Sequence, residues 1–447
     1  MTEGTNDGDG APPDIATGED GRPVIVAAWL REPHLQRLLR HLLDGEEGTD
    51  GEPSVPYVVG GAVRNALLGV PVRDVDLATA RRPEATSRIA EALGYKVVPT
   101  GIEHGTVTVV TPAGPYEVTT FRTDEETDGR HARVAFTNDL RQDAERRDFT
   151  INALYAAADG VIVDVVDGLT DIRTRTVRFI GDADERIRED YLRILRFFRF
   201  HAHYGRGRPD AEGLRACARN KAGIARLSPE RVWSELRRLL EAPEPGMTML
   251  WMRTTGVLAT VLPEGERWGI DALPGLVAVE RDLGWAPDPM LRLAAILPPD
   301  AERMEALADR LRMSNAERER LAAWARATPP VASLSESKLR ERLYREGRSG
   351  IEDRLRLALA SVRGRAASED GALEDAADLS RLLDVAETWQ RPEFPLKGRD
   401  LVELGIPAGP EIGERLNALE EAWIASGFEG DRDAMIASAL SGMSGET

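Results

Sequence analysis

Two aspartates, one residue apart, are the first candidates for chemistry in this sequence. Asp74 and Asp76 lie in the segment RDVDLATA, whose composition predicts a strand. Because strand side chains alternate between faces, both carboxylates are expected to point the same way while Val75 points into the core. Carboxylates this close repel each other unless a cation lies between them, and Mg²⁺ is a hard cation that prefers oxygen ligands. An isolated pair of this kind is more often two solvated acids at a strand end, so neighbouring motifs have to decide.

A glycine pair precedes the aspartates. Gly60 and Gly61 stand between a predicted buried strand, residues 57–59, and a predicted short helix, residues 62–68. Glycine lets the backbone approach an anion, which the positive end of the helix then stabilises. Arg64, one turn into the helix, can reach the same phosphates. A dinucleotide site is the competing interpretation, but the spacing does not match G-x-G-x-x-G and no parallel βαβ series follows. The turn and the acids together predict a site for a metal-bound triphosphate.

Two further segments carry candidate side chains. Glu117 in YEVTTFR is an acid on a predicted neighbouring strand, and it is either a third ligand or an ordinary exposed acid. In RRDFTINALY a predicted helix sets Asp148 and Asn152 four residues apart on one face, with Arg147 beside them. Such a face would bind phosphate or ribose, or would form a salt-bridged first turn. Neither segment decides the function alone.

The segment RIREDYLRILRFFRF predicts one amphipathic helix. Arg186, Asp190 and Arg193 share one of its faces. The predicted core stripe comprises Ile187, Tyr191, Ile194, Leu195 and Phe198. Asp190 and Arg193 offer acceptor and donor groups in one plane, which match the Watson–Crick edge of a base. The alternative is an i, i+3 ion pair on a solvated helix, worth only a few tenths of a kcal/mol.

The elements that must position these residues fall into two parts. The predicted elements of the first part are a helix over 24–43 and strands over 96–98, 106–110, 116–121 and within 160–172. Residues 123–139 are rich in charge and are predicted to form a mobile loop. Beyond Asp182 helical periodicity continues to the end of the chain. The sequence therefore predicts an α+β fold, in which a head with a mixed sheet precedes an all-helical portion.

Length and composition limit the classes of protein that fit. A chain of 447 residues is expected to form more than one packed unit. A formal charge of −18 argues against a wholly basic polyanion binder, although arginines crowd residues 186–208. The one cysteine, Cys217, excludes an intramolecular disulfide and a cysteine metal cluster. No apolar run approaches the ~20 residues that span a bilayer and no signal-peptide pattern is visible, so a cytoplasmic protein is expected. Residues 1–22 are polar and predict a disordered leader.

Taken together, these segments resemble the class II tRNA nucleotidyltransferase and poly(A) polymerase family, whose catalytic heads are of the DNA polymerase beta type. The matching segments, in chain order, are GGAVRNALLG with RDVDLAT, HGTVTV, YEVTTFRTDEETDGRHA, DAERRDFTINALY, EDYLRILRFFRFHA, SPERVWSELRRLL and PLKGRDLVELGIPAGPEIG. They span nearly all of the chain after the leader. The resemblance implies a nucleotidyltransferase head over 23–181, a helical neck with a nucleotide-selecting helix over 182–250, and a helical body and tail for tRNA binding over 251–447.

The resemblance also implies roles for single residues. Asp74 and Asp76 correspond to Mg²⁺ ligands, and Glu117 corresponds to a third catalytic acid. The implied nucleotide-binding residues are Gly61, Arg64, Arg147, Asp190, Arg193, Arg196 and Arg199. Asp190 and Arg193 resemble the protein template that pairs with the incoming base in place of a nucleic-acid strand. Residues 123–139 stand where the family has a flexible loop needed for adding A.

This chain departs from the family pattern at two positions. Asn65 stands where Asp is usual, so it can donate and accept hydrogen bonds but supplies no charge. Asp167-Gly168 stands where paired glycines are common. Elsewhere Arg231 and Glu235 fit the last motif of the head and neck.

The activity implied by the resemblance is addition of CCA to the 3′ end of tRNA, from CTP and then ATP, with release of pyrophosphate. A poly(A) polymerase is an alternative, although such enzymes usually carry a GRRFRL-like segment where this chain has GIEHGTVTV. An enzyme that adds only A is a second alternative, whereas CC-adding relatives tend to lack the loop present here. A noncatalytic RNA-binding protein on the same scaffold is a third. The last conflicts with the presence of Asp74, Asp76, Arg147, Asp190 and Arg193.

Overall fold

The chain folds into two compact units. A computed structural model describes residues 15–19, 21–44, 54–128, 131–265, 268–366, 368–405 and 409–443. The first unit ends at Pro263 and the second begins at Glu264. The predicted strands and all but one of the matching segments lie in the first unit, and the segment PLKGRDLVELGIPAGPEIG lies in the second. The predicted boundaries at residues 181 and 250 stay predictions.

The strands described by the structure all lie in the first unit. They are β1 (Ile15–Thr17), β2 (Pro23–Ile25), β3 (Tyr57–Val59), β4 (Asp76–Thr79), β5 (Lys96–Gly101), β6 (Thr106–Thr111), β7 (Gly114–Thr120), β8 (Arg122–Asp128), β9 (His131–Phe136), β10 (Leu154–Ala156) and β11 (Ile162–Asp164). Seven of them form one sheet in the order β11-β10-β3-β4-β7-β6-β5. Within it β4 and β7 pair in parallel, and the other neighbours are antiparallel. The strands β1 and β2, and likewise β8 and β9, form separate two-stranded sheets.

Helices complete the first unit and make up the second. The helices of the first unit are α1 (Pro33–Asp44), α2 (Gly61–Leu68), α3 (Pro83–Ala92), α4 (Leu140–Glu145), α5 (Gly168–Arg173), α6 (Ala183–Glu189), α7 (Leu192–Tyr204), α8 (Ala211–Asn220), α9 (Pro229–Leu240), α10 (Pro245–Thr254) and α11 (Val257–Val261). Those of the second are α12 (Ala272–Leu283), α13 (Pro289–Ala295), α14 (Ala301–Arg310), α15 (Asn315–Arg326), α16 (Glu336–Glu346), α17 (Arg348–Arg365), α18 (Ala372–Thr388), α19 (Gly398–Glu403), α20 (Pro410–Ala425) and α21 (Arg432–Met443). Short 3-10 helices lie at Ile102–His104, Thr150–Asn152, Lys221–Arg226 and Pro263–Gly265. The α+β fold class and the helical remainder are confirmed.

The sheet forms where apolar and polar residues alternate. Val107 and Val109 of β6 are fully buried, and Val118 of β7 is nearly so, while threonines and Glu117 take the intervening positions. This period of two places every second side chain in the core. The three strands predicted over 96–98, 106–110 and 116–121 are therefore confirmed as β5, β6 and β7, each slightly longer or shifted by one or two residues.

The helix predicted over residues 24–43 was wrong at its beginning. Residues 23–25 form β2, and α1 begins only at Pro33. A residue before proline avoids the helical conformation, and proline favours the first position of a helix. The side chain of Glu32 accepts hydrogen bonds from the backbone N–H groups of His34, at 3.0 Å, and Leu35, at 2.7 Å. Glu32 thereby satisfies donors at the start of α1, which explains where the helix begins.

Two other predictions of irregular structure were wrong. Residues 123–139 were expected to form a loop, yet β8 and β9 form an antiparallel hairpin there, with residues 129 and 130 outside the described part. Backbone pairing does not require alternation of apolar and polar residues, so that pattern does not predict a charged hairpin. Within the predicted leader, Ile15–Thr17 forms β1 against β2. Residues 1–14 and 20 lie outside the described residues.

One close backbone approach in the first unit yields a stability prediction. Gly160 has φ +89°, and a Cβ added there would lie 2.1 Å from the carbonyl oxygen of Ile25. Gly160→Ala is therefore expected to lower the free energy of unfolding by about 3 kcal/mol, because left-handed strain and a backbone clash add together. Gly94→Ala is the control, since Gly94 has φ +82° and nothing within 4 Å of its added Cβ. The free energy of unfolding of this control, measured with denaturant, is expected to fall by only about 1 kcal/mol. Equal losses of unfolding free energy in the two variants would contradict the close approach between Gly160 and the carbonyl of Ile25.

The second unit has its own apolar core. Leu339 of α16, Leu355 of α17 and Leu382 of α18 are fully buried in one cluster. A second cluster gathers Tyr344 and Trp423 with residues around Phe428. Among the described residues, the helices are too short or too polar to cross a membrane.

Candidate active site

A polar cavity of about 520 Å³ opens in the first unit beside β4 and β7. Its lining includes eight residues predicted from the sequence, namely Gly61, Arg64, Asp76, Glu117, Arg147, Asp190, Arg193 and Arg196. Asp74 lines an adjoining cavity of about 440 Å³, which shares Gly61, Arg64 and Asp76 with the first. Arg199 lines neither of these two cavities. The structure thus brings together residues that are far apart in the sequence.

The two aspartates differ in their backbone setting. β4 begins at Asp76, so Asp74 lies before the strand, and the prediction that both are strand residues was wrong for Asp74. The partner strand explains this, because β3 pairs only Tyr57–Val59 with residues 76–78 before the chain turns at Gly60. Val75 is accordingly half-buried rather than in the core.

Glu117 is the residue directly opposite Asp76. The parallel pairing of β4 and β7 sets these two residues in register. The residue Asp76 is exposed at the start of β4, but the cavity partly desolvates its carboxylate and raises its pKa; the charges of Glu117 and Asp74 raise it further, against an opposing effect of Arg147. Three carboxylates therefore converge and repel, which is the electrostatic setting that a divalent cation relieves. Among the described residues, however, no group of three or more acid, histidine or cysteine side chains is close enough to hold a metal by itself.

The glycine turn between β3 and α2 is as predicted. Gly60 has φ +69°, a conformation that favours glycine, and its N–H donates to the carbonyl of Leu154 at 3.1 Å. α2 begins at Gly61 and ends before Gly69, whose left-handed conformation terminates it. Gly61 and the N-terminal end of α2 therefore present backbone N–H groups at the cavity.

Arg64 is a buried cation that the described residues leave without an ion pair. Its side chain is held by hydrogen bonds to Asn152 and Asn65, and by one of 2.9 Å to the hydroxyl of Tyr204. Its guanidinium also lies over the rings of Tyr204, at 4.1 Å, and Phe200. Burial lowers its pKa, and the opposing effects of Tyr204 and Asp148 do not outweigh it. The amide of Asn65, where the family usually has Asp, thus fixes Arg64 without neutralising it.

Arg147 is held by two residues that the sequence analysis did not single out. Its Nη2 atom lies 2.9 Å from Oδ2 of Asp143, and its Nε donates to the hydroxyl of Tyr155 at 3.1 Å. Burial opposes the charge of Arg147, but Asp143 outweighs it and raises the pKa of the guanidinium. Arg147 is thereby kept charged at the cavity.

The predicted helix over RIREDYLRILRFFRF is interrupted, so the prediction of one continuous helix was wrong. α6 ends at Glu189 and α7 begins at Leu192, because Asp190 takes an extended backbone conformation. Oδ1 of Asp190 accepts a hydrogen bond of 3.1 Å from the N–H of Leu192. Asp190 therefore satisfies a free donor at the start of α7, as short polar side chains do at helix N-termini.

Asp190 and Arg193, which are predicted to pair with the base, each form an ion pair with another side chain. Oδ2 of Asp190 lies 2.6 Å from Nη2 of Arg231. Arg193 forms an ion pair with Glu189, and its Nη1 donates to the carbonyl of Arg186 at 2.7 Å. Asp190 and Arg193 thus do not bond to each other through their side chains, which removes the alternative of a simple i, i+3 ion pair.

Asp148 and Asn152 meet without the helix predicted for them. α4 ends at Glu145, and only a 3-10 turn at Thr150–Asn152 follows, because Phe149 is extended and bridges Phe179. Nδ2 of Asn152 still donates to Oδ1 of Asp148 at 2.9 Å. Asp148 also pairs with Arg196 at 2.6 Å, which outweighs the effect of burial and lowers the pKa of Asp148.

Arg196 and Arg199 differ in access to the cavity. Arg196 lines it, and burial opposes its charge while Asp148 and Glu235 raise its pKa. Arg199 instead forms an ion pair with Glu235, which is 5 % exposed, and lies over the ring of Phe200. Of the two, only Arg196 is in a position to contact a molecule in the cavity.

Comparisons with known proteins agree with this geometry. A family model described as "Poly A polymerase head domain" matches residues 56–178. A second, described as "Probable RNA and SrmB- binding site of polymerase A", matches residues 209–268. The mouse protein "CCA tRNA nucleotidyltransferase 1, mitochondrial" is 34% identical over 389 residues, which cover 85% of each chain. The chain belongs to the class II CCA-adding nucleotidyltransferase family.

Bacterial members of the family are similar over a comparable length. The "CCA-adding enzyme" of Limosilactobacillus fermentum is 30% identical over 393 residues, covering 86% of this chain and 92% of that protein. A crystal structure of the Bacillus stearothermophilus CCA-adding enzyme in complex with CTP matches with a TM-score of 0.66 and 27% identity. That match covers 91% of this chain and 96% of the other. The family likeness therefore extends well beyond the catalytic motifs.

Proposed function

We propose that this chain adds CCA to the 3′ end of tRNA, with CTP and then ATP as nucleotide donors. The observation that carries the proposal is the likeness to CCA-adding enzymes over 85% of the chain. The cavity supports it, since acidic, phosphate-compatible and base-compatible side chains line one space. In the reaction, the terminal 3′-OH of the RNA attacks the α-phosphate of the nucleotide. A new P–O bond forms there while the bond to the β-phosphate breaks and pyrophosphate leaves.

Gly61, Arg64 and Arg147 are proposed to bind the triphosphate. The N-terminal end of α2 offers N–H groups, and the two arginines bring charge to the same cavity. Because Arg64 is buried without an ion pair among the described residues, an anion there would compensate its charge. Arg196 is proposed to contact the same nucleotide, and Arg199 to act from behind the cavity through Glu235 and Phe200.

Asp74 and Asp76 are proposed to hold Mg²⁺, and Glu117 to be the third catalytic acid. The raised pKa of Asp76 supports this proposal, since it reflects desolvation and then repulsion from Glu117 and Asp74, and a bound cation would offset both. When bound, Mg²⁺ supplies positive charge that offsets the negative charge of the reacting phosphates. Glu117, in register with Asp76 on the neighbouring strand, lines the same cavity and is proposed to act there beside it.

Asp190 and Arg193 are proposed to select the base. Both line the cavity, and Arg231 and Glu189 hold them in defined positions before a nucleotide arrives. An acceptor and a donor at fixed positions can form paired hydrogen bonds with cytosine or adenine and leave a group unpaired with other bases. The second unit is proposed to contact tRNA by shape and phosphate contacts. The cytoplasmic location expected from the sequence stays a prediction.

The proposal is tested by supplying purified protein and Mg²⁺ with tRNA that ends at the discriminator base, at C or at CC. Each labelled nucleotide is added in turn. Labelled CTP followed by ATP on the first substrate is the expected result. ATP incorporation on the last substrate alone would indicate an A-adding enzyme, and long ATP tails would indicate a poly(A) polymerase. Binding of tRNA without incorporation of any nucleotide would indicate a noncatalytic protein.

A further inference from the structure

Asp143 is an acid that the proposed chemistry does not use. It is 1 % exposed and lies on α4, four residues before Arg147. An acid this deeply buried is costly unless several donors satisfy it. Asp143 does not line the cavity, so its effect on a nucleotide bound there is expected to be indirect.

Four donors converge on this carboxylate. Oδ2 accepts from Nη2 of Arg147, at 2.9 Å, and from the hydroxyl of Tyr155, at 2.8 Å. Oδ1 accepts from Nε of Arg146, at 3.0 Å, and from the N–H of Arg122, at 3.4 Å. Burial by itself would raise the pKa of Asp143, but Arg147 and Arg146 outweigh it and hold the pKa at about 2. The carboxylate is therefore charged at all pH values near neutrality.

Three of the four donors, the arginines, share one property that points to a role. Arg122, Arg146 and Arg147 all line the cavity, whereas Asp143 does not. Arg147 has no other carboxylate partner among the described residues, and its second contact, with Tyr155, belongs to the same cluster. A long, flexible arginine side chain loses conformational entropy when it is fixed, so an anchor set in advance strengthens its later contacts.

We propose that Asp143 is a positioning residue, which fixes the guanidinium groups of Arg147 and Arg146 at the cavity so that they bind the triphosphate of the incoming nucleotide. This inference rests on the proposed function, because it takes the ligand of these arginines to be a nucleoside triphosphate. Tyr155 takes part by donating to Asp143 and accepting from Arg147, which fixes the geometry of the pair. The effect on nucleotide affinity is therefore transmitted through Arg147 and Arg146.

The test measures equilibrium binding of labelled CTP to the full-length protein. Asp143→Asn is expected to raise the dissociation constant for CTP at least tenfold, since the arginines lose their charged anchor. Asp171→Asn is the matched control. Asp171 is likewise buried, at 4 % exposed, and accepts from Thr150, but its arginine, Arg178, does not line the cavity. The control is expected to lose thermal stability while its affinity for CTP changes less than twofold.

A double-mutant cycle separates positioning from general damage. In an Arg147→Ala background, Asp143→Asn is expected to change the dissociation constant for CTP less than threefold, because most of its effect passes through the missing arginine. A tenfold change in that background, or an unchanged constant for Asp143→Asn alone, would overturn the proposal. Thermal melting verifies that each variant is folded. If Asp143→Asn does not fold, CTP binding is measured with Tyr155→Phe instead. A threefold weaker affinity for CTP supports the proposal, and an unchanged affinity overturns it.

Measuring CTP binding separately from nucleotide transfer distinguishes a failure of the positioning role from a failure of the proposed function. If the unaltered protein binds CTP but transfers no nucleotide to tRNA, the proposed function fails while the cycle still tests Asp143. If it transfers nucleotides normally and Asp143→Asn binds CTP as tightly as the unaltered protein, the positioning role fails and the proposed function stands.

Discussion

Replacing both Asp74 and Asp76 with alanine is expected to lower nucleotide transfer by a thousandfold or more. The variant removes the two carboxylates proposed to hold Mg²⁺, and charge stabilisation of this kind contributes several kcal/mol to the barrier of phosphoryl transfer. Binding of tRNA is expected to change little, because neither side chain is a cation that contacts phosphates. Single-turnover incorporation of labelled CTP, with tRNA binding measured in parallel, tests both expectations.

Glu103→Ala is a suitable control for the loss of negative charge. The side chain of Glu103 is 86% exposed, and its residue lies in the 3-10 turn after β5, outside the cavity. Transfer by this variant is expected to stay within twofold of normal. Unchanged incorporation by the double aspartate variant would refute the metal-binding assignment, whereas a loss of tRNA binding would show that the acids support the fold instead.

Replacing Arg193 with alanine is expected to change which nucleotide is added more than how tightly tRNA binds. A well-placed pair of hydrogen bonds to a base discriminates by about 1–3 kcal/mol, so the preference for CTP and ATP over UTP and GTP should fall roughly tenfold to a hundredfold. The variant also removes one of the two ion pairs of Glu189, which keeps its contact with Arg186. Competition among the four nucleotides for addition to one tRNA measures the change.

Arg188→Ala is the matched control for this second prediction. Arg188 is exposed on α6 and does not line the cavity, although it is only five residues from Arg193. Its loss removes the same charge from the same region and is expected to leave nucleotide choice unchanged. A variant of Arg193 with normal selectivity for CTP and ATP would contradict the template role.

Local patterns were sufficient to predict much of this site. The turn at Gly60 and the strands β6 and β7 depend on residue types that favour one conformation, such as left-handed glycine and alternating β-branched residues. Where a conformation depends on such local preferences, a single sequence contains the information. The resemblance to a family then supplied the roles of Asp190 and Arg193, which the spacing alone left open.

Other features depend on contacts between distant segments and were missed for that reason. The break at Asp190 is stabilised in part by Arg231, 41 residues later, while the local periodicity favours one unbroken helix. The role of Asp143 depends on Tyr155 and on the fold that buries them both. An i, i+4 spacing from Asp143 to Arg147 was visible, but it is common on exposed helices and indicates a buried anchor only once burial is known.

The parallel pairing of β4 with β7 has a consequence for how the acidic centre is assembled. Asp76 and Glu117 are neighbours in the sheet although α3 and the antiparallel strands β5 and β6 lie between them in the chain. Contacts of high sequence separation are slow to form, because the entropy of closing a long loop must be overcome before the contact stabilises anything. Pairing β4 with β7 therefore requires a long loop to close, and this contact is expected to be among the slower ones of the sheet to form. A substitution that weakens the pairing of β4 with β7 would therefore change the spacing of the two acids, even if it altered neither of them.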